Sequence, residues 1–400
     1  MGATESDPAM DALLDALHRT EPGRLAQVVQ QHYADLGLDR TTIYVADLQQ
    51  NVLVALTDEA GGGPPQRLSM DGSLAGWAYR SESLRIQLGE KDTVVLFVPI
   101  IDGVERLGVL RVETSTLNAA TVRRCQSVAA VMAMALATKG TYSDRLARAQ
   151  RAAPMGVAAE MVWAFLPPRT IGTELITSSA VVEPAYEVGG DAFDHSVVDS
   201  VLHTAVVDAM GHDLAAGLTS SVVLAVCRNA RRGGADLAEI VDTVDEHLQR
   251  LFPERYATGI FLDLQMTTGH LRWVNCGHPP PYLLRDHALV PEAFRREPGL
   301  PLGMGFGAAE ERQVHEVRLE PGDRVLLYTD GVTEARLTGD AFGEERFIDY
   351  INRAAAAGEP APEVLRRLVH AILGSQDGRL SDDATILLFE WHPLRQVQRP

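Results

Sequence analysis

The chain is short of cysteine, of positive charge and of long apolar runs, and each shortage excludes something. Its 400 residues hold three cysteines, Cys125, Cys227 and Cys276, with no CxxC spacing. That gives neither a disulfide framework nor a zinc site, and it fits small buried hydrophobes in a reducing cytoplasm. The formal net charge is −18, which argues against nucleic acid as a partner, since such binders present a basic face. The most continuous apolar stretch, Ser127 to Thr138, falls short of the roughly 20 residues that a bilayer requires, so no membrane span is expected. Met1–Gly2–Ala3–Thr4–Glu5–Ser6–Asp7 shows neither the basic nor the apolar part of a signal peptide. No internal repeat or long low-complexity tract is present. What is there is ordinary for a globular protein, 46% hydrophobic and 22% charged residues, in a length that suggests two or three domains with full cores.

The informative residues are aspartates beside turns. Val188–Gly189–Gly190–Asp191–Ala192–Phe193–Asp194 is followed, after one short strand, by Val207–Asp208–Ala209–Met210–Gly211–His212–Asp213. Tyr328–Thr329–Asp330–Gly331 ends the apolar run Val325–Leu326–Leu327, and Ser381–Asp382–Asp383–Ala384–Thr385 opens Ile386–Leu387–Leu388–Phe389. Glycine lets the backbone turn tightly and approach a ligand. Carboxylates at the mouths of buried strands are costly unless something positive lies between them, and oxygen-only ligands suit Mg²⁺ or Mn²⁺. Taken singly, Asp330–Gly331 reads as a turn, Asp382 as a cap or turn residue, and Gly189–Gly190 as a turn. Their co-occurrence at strand ends points to a two-metal phosphate hydrolase.

Along the chain, Met10, Leu13, Leu14 and Leu17 form a short helical pattern that Pro22–Gly23 breaks, leaving residues 1–23 as a tail or partner helix. A helix is expected from Leu25 to about Leu36, strands at Thr41–Asp47 and Val52–Leu56, and a short helix at Ser73–Tyr79. Val94–Ile100 and Leu107–Val112 read as an antiparallel pair turning at Asp102–Gly103. Asn118 to about Phe165 is rich in helix formers and reads either as a connector that relays strain, dimerising the chain, or as a terminal helix with a passive linker. Pro154–Met155–Gly156 interrupts it and Leu166–Pro167–Pro168 ends it. Beyond it come nine predicted strands, from Leu175–Val182 to Thr385–Glu390. Helices are expected at Leu214–Arg231, Leu237–Leu251, Glu344–Ala355 and Pro362–Leu373, in the manner of antiparallel sheets layered with helices. Arg228, Arg231 and Arg232 are assigned to the dipole of a helix C-terminus, and Asp194 to the surface or to support of the site.

Two resemblances follow. Gly72–Ser73–Leu74–Ala75–Gly76–Trp77, Phe97–Val98–Pro99–Ile100 and Leu107–Gly108–Val109–Leu110 resemble a GAF domain over residues 24–140, which implies a small-molecule sensor or a dimer scaffold. The second rests on Gly189–Gly190–Asp191–Ala192–Phe193–Asp194, Val207–Asp208–Ala209–Met210–Gly211–His212, Asn275–Cys276–Gly277–His278–Pro279–Pro280, Thr329–Asp330–Gly331–Val332–Thr333–Glu334–Ala335 and Asp382–Asp383–Ala384–Thr385. In this order they resemble the SpoIIE-type branch of the PPM (protein phosphatase 2C-like) serine/threonine phosphatases over about residues 155–392. With a helical connector at 141–168 and the phosphatase domain at 169–393, the resemblance implies an α+β chain whose catalytic part is an α/β/β/α sandwich.

The same resemblance implies two Mn²⁺ or Mg²⁺ ions. Asp208 would bridge them, Asp191 and the Ala209 carbonyl would complete one ion's ligands, and Asp330 and Asp382 the other's. Asp383, His212 and Gly331 would stand behind these ligands, Asp383 by orienting Asp382. His212 reads as a general acid or as a loop-shaping residue, and His278 has a similar balance within a rigid hairpin at a sheet edge. Position 213 is Asp where the family often has glycine, and no arginine is assignable to phosphate by motif. The implied substrate is a phosphorylated anti-sigma factor antagonist, dephosphorylated at serine or threonine, with the GAF-like domain setting activity in a homodimer. A catalytically silent, ligand-responsive scaffold and a phosphatase for a small phosphorylated molecule are the alternatives.

Overall fold

The computed structural model describes residues 7–57, 64–90, 92–304, 312–334, 336–337, 340–341, 347, 349–351, 353, 359–374, 380 and 382–392. Two compact units divide at Pro154/Met155. Every pairing between the described strands is antiparallel. Among the described residues no helix is long and apolar enough to cross a membrane.

The first unit opens with helices α1 (Pro8–Arg19) and α2 (Leu25–His32), then strands β1 (Arg40–Ala46), β2 (Val52–Ala55) and β3 (Arg67–Ser69). Helix α3 (Leu74–Ser81), strands β4 (Arg85–Leu88), β5 (Val94–Asp102) and β6 (Glu105–Thr114), and helices α4 (Ala119–Gly140) and α5 (Asp144–Ala149) complete it. Its six strands form one sheet in the order β3-β2-β1-β6-β5-β4. Period-two alternation sorts the side chains. Ile43, Val45, Leu96 and Leu110 pack under α1, α2, α4 and α5, while Tyr44, Phe97 and Val109 face α3. The helix former-rich stretch from Asn118 is three helices. Asn118 caps α4, and Ser143, whose hydroxyl accepts the Leu146 N–H, starts α5 afresh.

The second unit begins with α6 (Val157–Phe165), β7 (Thr170–Gly172), β8 (Ile176–Glu183), β9 (Asp191–Val198) and β10 (Val201–Ala209). Then come α7 (Leu214–Arg232), α8 (Leu237–Leu251), β11 (Ala257–Gln265), β12 (His270–Cys276), β13 (Tyr282–Arg285), β14 (Ala288–Leu289), β15 (His315–Arg318) and β16 (Arg324–Tyr328). The short helix α9 (Asp330–Glu334), a small two-stranded ribbon (Arg336–Leu337 with Asp340–Ala341), the helix Ala361–Gly374 and the strand Ala384–Trp391 end it. The expected helix Glu344–Ala355 lies largely outside the described residues. A five-stranded sheet, β15-β12-β11-β10-β9, faces a six-stranded one, β14-β13-β16-(384–391)-β8-β7. Leu283, Val325, Leu327, Leu387 and Phe389 share one core with the five-stranded sheet, α7 and α8. The intervening residues Leu284, Leu326, Ile386 and Leu388 pack with the helix Ala361–Gly374. The layers are therefore helix, sheet, sheet, helix, with the main core between the sheets.

The three cysteines are buried, and burial pushes the thiols up, to about 11 for Cys125, so they pack as hydrophobes.

Candidate active site: carboxylates at one end of the sandwich

Strand register brings the first two aspartates together. Asp191, opening β9, lies directly opposite Asp208, near the end of β10, so both point to the same face of the sheet. That face is the inner one, because His195, four residues further along β9 and on the same face, meets Ser178 of the opposite sheet at 2.9 Å. The other sheet supplies its acids at the same end. β16 pairs Tyr328 with Ile386, which places Asp330 just beyond one strand and Asp382 and Asp383 just before its neighbour.

The local bonding is specific. Asp383 is buried, and its Oδ2 accepts the backbone N–H groups of Gly189 and Gly190, both at 2.8 Å. The expected contact between Asp383 and Asp382 runs through the Asp383 backbone. Asp382 is exposed, and its Oδ1 accepts the Asp383 N–H at 2.9 Å, so the Asp383 carboxylate is spent on the turn that carries Asp191. The Thr329 hydroxyl donates to Asp191 Oδ2 at 2.7 Å and accepts the Thr385 N–H at 2.9 Å. Sequence reading gave Thr329 no role, although its place beside Asp330 was the available signal. Gly331 is obligatory by close approach, since a Cβ there would lie 2.0 Å from the Asp383 carbonyl oxygen.

Electrostatics report the crowding. Asp191 is held well above the usual carboxylate range, first by burial and then by Asp208 and Asp383. Asp208 is pushed up to about 7, first by burial and then by the charges of Asp330, Asp382 and Asp383. Asp383 is raised by burial, against the lowering effect of its three backbone donors. Like charges converging from two sheets are what a divalent cation relieves, and the donors are all oxygen. Even so, among the described residues no group of three His, Cys, Asp or Glu side chains is placed so as to hold a metal ion. The donor set fits divalent cations in kind and in location, without forming a closed shell.

The loop after Asp208 is strapped from both sides. Ala209 is buried and its N–H donates to the Gly190 carbonyl at 3.1 Å, which also accepts the Ser220 hydroxyl. His212 is exposed on this loop. Asp213, the departure noted in the sequence, caps α7 by accepting the Ala216 N–H at 2.8 Å. Arg255 pairs with it at 3.1 Å and donates to the Met210 carbonyl at 3.3 Å. No motif marked Arg255, because its role depends on a contact 42 residues away.

Two further expectations change. Asp194 is not a surface residue. It is 2% exposed and is gripped by Arg228 at 2.7 Å and Arg231 at 3.0 Å, so those arginines neutralise a buried charge. His278 is not in an edge hairpin but buried, 3% exposed.

Known proteins are similar to this chain in sequence and fold. Residues 199–392 match the family described as Stage II sporulation protein E (SpoIIE). The chain is 27% identical over 173 residues to the phosphoserine phosphatase RsbP of Bacillus subtilis (strain 168), covering 40% of this chain and 42% of that one. It is 22% identical over 234 residues to the phosphoserine phosphatase RsbU of the same organism, covering 58% and 68%. The match thus spans less than half the length of RsbP. Among solved structures, the SiaA-PP2C domain of Pseudomonas aeruginosa superposes with a TM-score of 0.50 at 22% identity, covering 58% of this chain and 94% of that domain. The helix–sheet–sheet–helix layering is a PP2C-like phosphatase fold, and the part of this chain that is similar to the SpoIIE family is residues 199–392.

Proposed function

We propose that the chain is a metal-dependent phosphoprotein phosphatase that hydrolyses phosphoserine or phosphothreonine. The observation that carries this is the convergence on Asp208 of the charges of Asp330, Asp382 and Asp383 at the end where Asp191 faces it. Asp208 and Asp191, with the Ala209 carbonyl, would hold one Mn²⁺ or Mg²⁺ ion, and Asp208 with Asp330 and Asp382 a second. When bound, such a pair polarises phosphoryl oxygens and makes water a competent nucleophile at neutral pH. The chain's own residues supply positioning. Thr329 fixes one oxygen of Asp191, Asp383 anchors the Gly189–Gly190 turn, and Arg255 holds the loop beyond Ala209. Gly331 admits the close approach of Asp330's turn to Asp383. A loose phosphoryl transition state asks mainly for positioning and charge neutralisation.

The substrate we infer is a phosphorylated anti-sigma factor antagonist. Support comes from the likeness to two proteins named phosphoserine phosphatases. We assign a GAF-like sensor role to residues 24–140, supported by the six-stranded antiparallel sheet with α3 on one face and α1, α2 and α4 on the other. A cleft of about 230 Å³ lined by Leu84, Val98, Ile101 and Gln126 is smaller than the roughly 300 Å³ at which drug-sized sites begin. A regulator bound there would be small. Homodimerisation of the chain belongs to the same reading.

A second reading, a catalytically silent scaffold, draws on the lack of a three-residue metal-holding group among the described residues. An assay with a phosphoserine protein substrate, with and without Mn²⁺, separates the two. Turnover that requires Mn²⁺ and falls at least 100-fold in Asp208→Asn is expected. No turnover with any divalent cation supports the scaffold.

A further inference from the structure

The segment Asn275–Cys276–Gly277–His278 places one imidazole at the seam of the two sheets. The Asn275 side chain accepts the His278 N–H and donates to the His278 carbonyl, both at 2.8 Å. Gly277 turns the chain at φ +72°, where a Cβ would also meet Pro301 at 2.9 Å. The ring so placed is 3% exposed. Its Nδ1 lies 3.0 Å from the Thr258 hydroxyl, and Thr258 is directly opposite Asp208 on the neighbouring strand. Asp191, Asp208 and Thr258 therefore form one transverse row on the inner face. The Tyr328 backbone also acts on this ring, and the buried Nε2 closes no hydrogen bond among the described residues. Tyr328 is two residues before Asp330.

We propose that His278 is a positioning residue that braces the Asp208 side of the cation site, through Thr258, against the Asp330 side, through the end of β16. The inference rests on the two-cation reading above. A buried imidazole is suited to this, because it is held at Thr258, beside Asp208, while the Tyr328 backbone that acts on it lies two residues before Asp330. Burial keeps the ring neutral, with its pKa lowered to about 4. One nitrogen then donates and the other accepts, matching a hydroxyl on one side and a carbonyl on the other. Residues that orient metal ligands typically change affinity roughly 10- to 100-fold when replaced.

The test is titration calorimetry of the full chain with Mn²⁺, alongside metal-free thermal melting. His278→Asn and Thr258→Val are expected to remain folded and to bind Mn²⁺ roughly 10- to 100-fold more weakly. At saturating Mn²⁺, the KM for a phosphoserine substrate should stay near the wild-type value. Thr258→Ser, which keeps the hydroxyl, should restore the affinity, an outcome that packing alone does not produce. Should His278→Asn unfold, the Thr258 pair decides the matter by itself. Folded variants that bind Mn²⁺ within twofold of wild type, in a titration where Asp208→Asn loses binding, overturn the bracing role and leave the phosphatase reading intact. A wild-type chain that binds no Mn²⁺ overturns both.

Discussion

At the scale of single residues, position within a strand decides what an aspartate does. Asp191 and Asp194 lie three apart on β9, so alternation sends Asp191 inward to Asp208 and Asp194 outward to Arg228 and Arg231. The outward charge is balanced by two arginines, whereas Asp191 and Asp208 have no ion pair among the described residues. That imbalance has a stability signature. Asp208 titrates at about 7 when folded against an ordinary 3.8, so in that window the folded chain holds the extra proton. Its stabilising protonated form is fully present below about 3.8 and is lost as pH rises through 7. Metal-free Asp208→Asn should therefore be more stable than wild type at pH 8, by roughly 2 to 4 kcal/mol from the size of the shift. The gap should close near pH 4. Urea unfolding of both proteins at the two pH values checks this, and a destabilised variant at pH 8 contradicts it. Asp191, Asp208, Asp330 and Asp382 were legible as a set because each sits at a strand mouth beside a turn. Thr329, Thr258 and Arg255 were not, because a threonine or arginine acquires such a role only through a partner distant in sequence.

At the scale of elements, the long strands and helices follow from patterns the sequence carries openly. α8 spans Leu237–Leu251 as the apolar spacing predicts, and Asp236 with Glu239 closes a reciprocal capping box at its start. The short edge pieces β3, β4, β7 and β14 were not predicted, since two to four residues give too little periodicity to read. The stretch after Asn118 shows the opposite failure. Helix propensity is continuous there, but tertiary packing of Leu146 against the first core starts a new helix after Gly140. His195 ties elements together, with Nε2 donating to the Pro168 carbonyl at 2.7 Å and Nδ1 at the Ser178 hydroxyl. Burial lowers its pKa to about 4 from an ordinary 6.5, so the unfolded chain binds the proton more readily between those values. The stability contributed by the neutral ring is full above pH 6.5 and is lost as pH falls toward 4, on the order of 3 kcal/mol. Replacing it by Gln should flatten this part of the acid-unfolding profile, measured by denaturant melts from pH 7 to 4. An unchanged slope would mean the ring is not buried in its neutral form.

At the scale of the molecule, the proposed two-cation reading has protons and divalent cations competing for the same carboxylates. With Asp208 near 7 and Asp191 and Asp383 raised by burial, acid fills the site with protons, while cations require it deprotonated. Mn²⁺ should therefore raise the melting temperature more at pH 7.5 than at pH 5, as binding linkage demands. Scanning calorimetry at matched Mn²⁺ concentrations tests this. Equal increments at both values would place the cation elsewhere. The expectation concerns the second unit, whose sandwich contains all of these acids.

Strand and turn patterns along the chain were enough to indicate antiparallel sheets layered with helices and aspartates at strand mouths, because hydrophobic alternation and turn chemistry are local properties. The phosphatase sandwich followed from the resemblance its ordered motifs carry. Only the folded chain decided which face each acid takes, that Asp383 serves a backbone turn, and that His278 lies between the sheets. Those outcomes depend on strand register and on contacts between residues far apart in sequence, which local pattern does not encode.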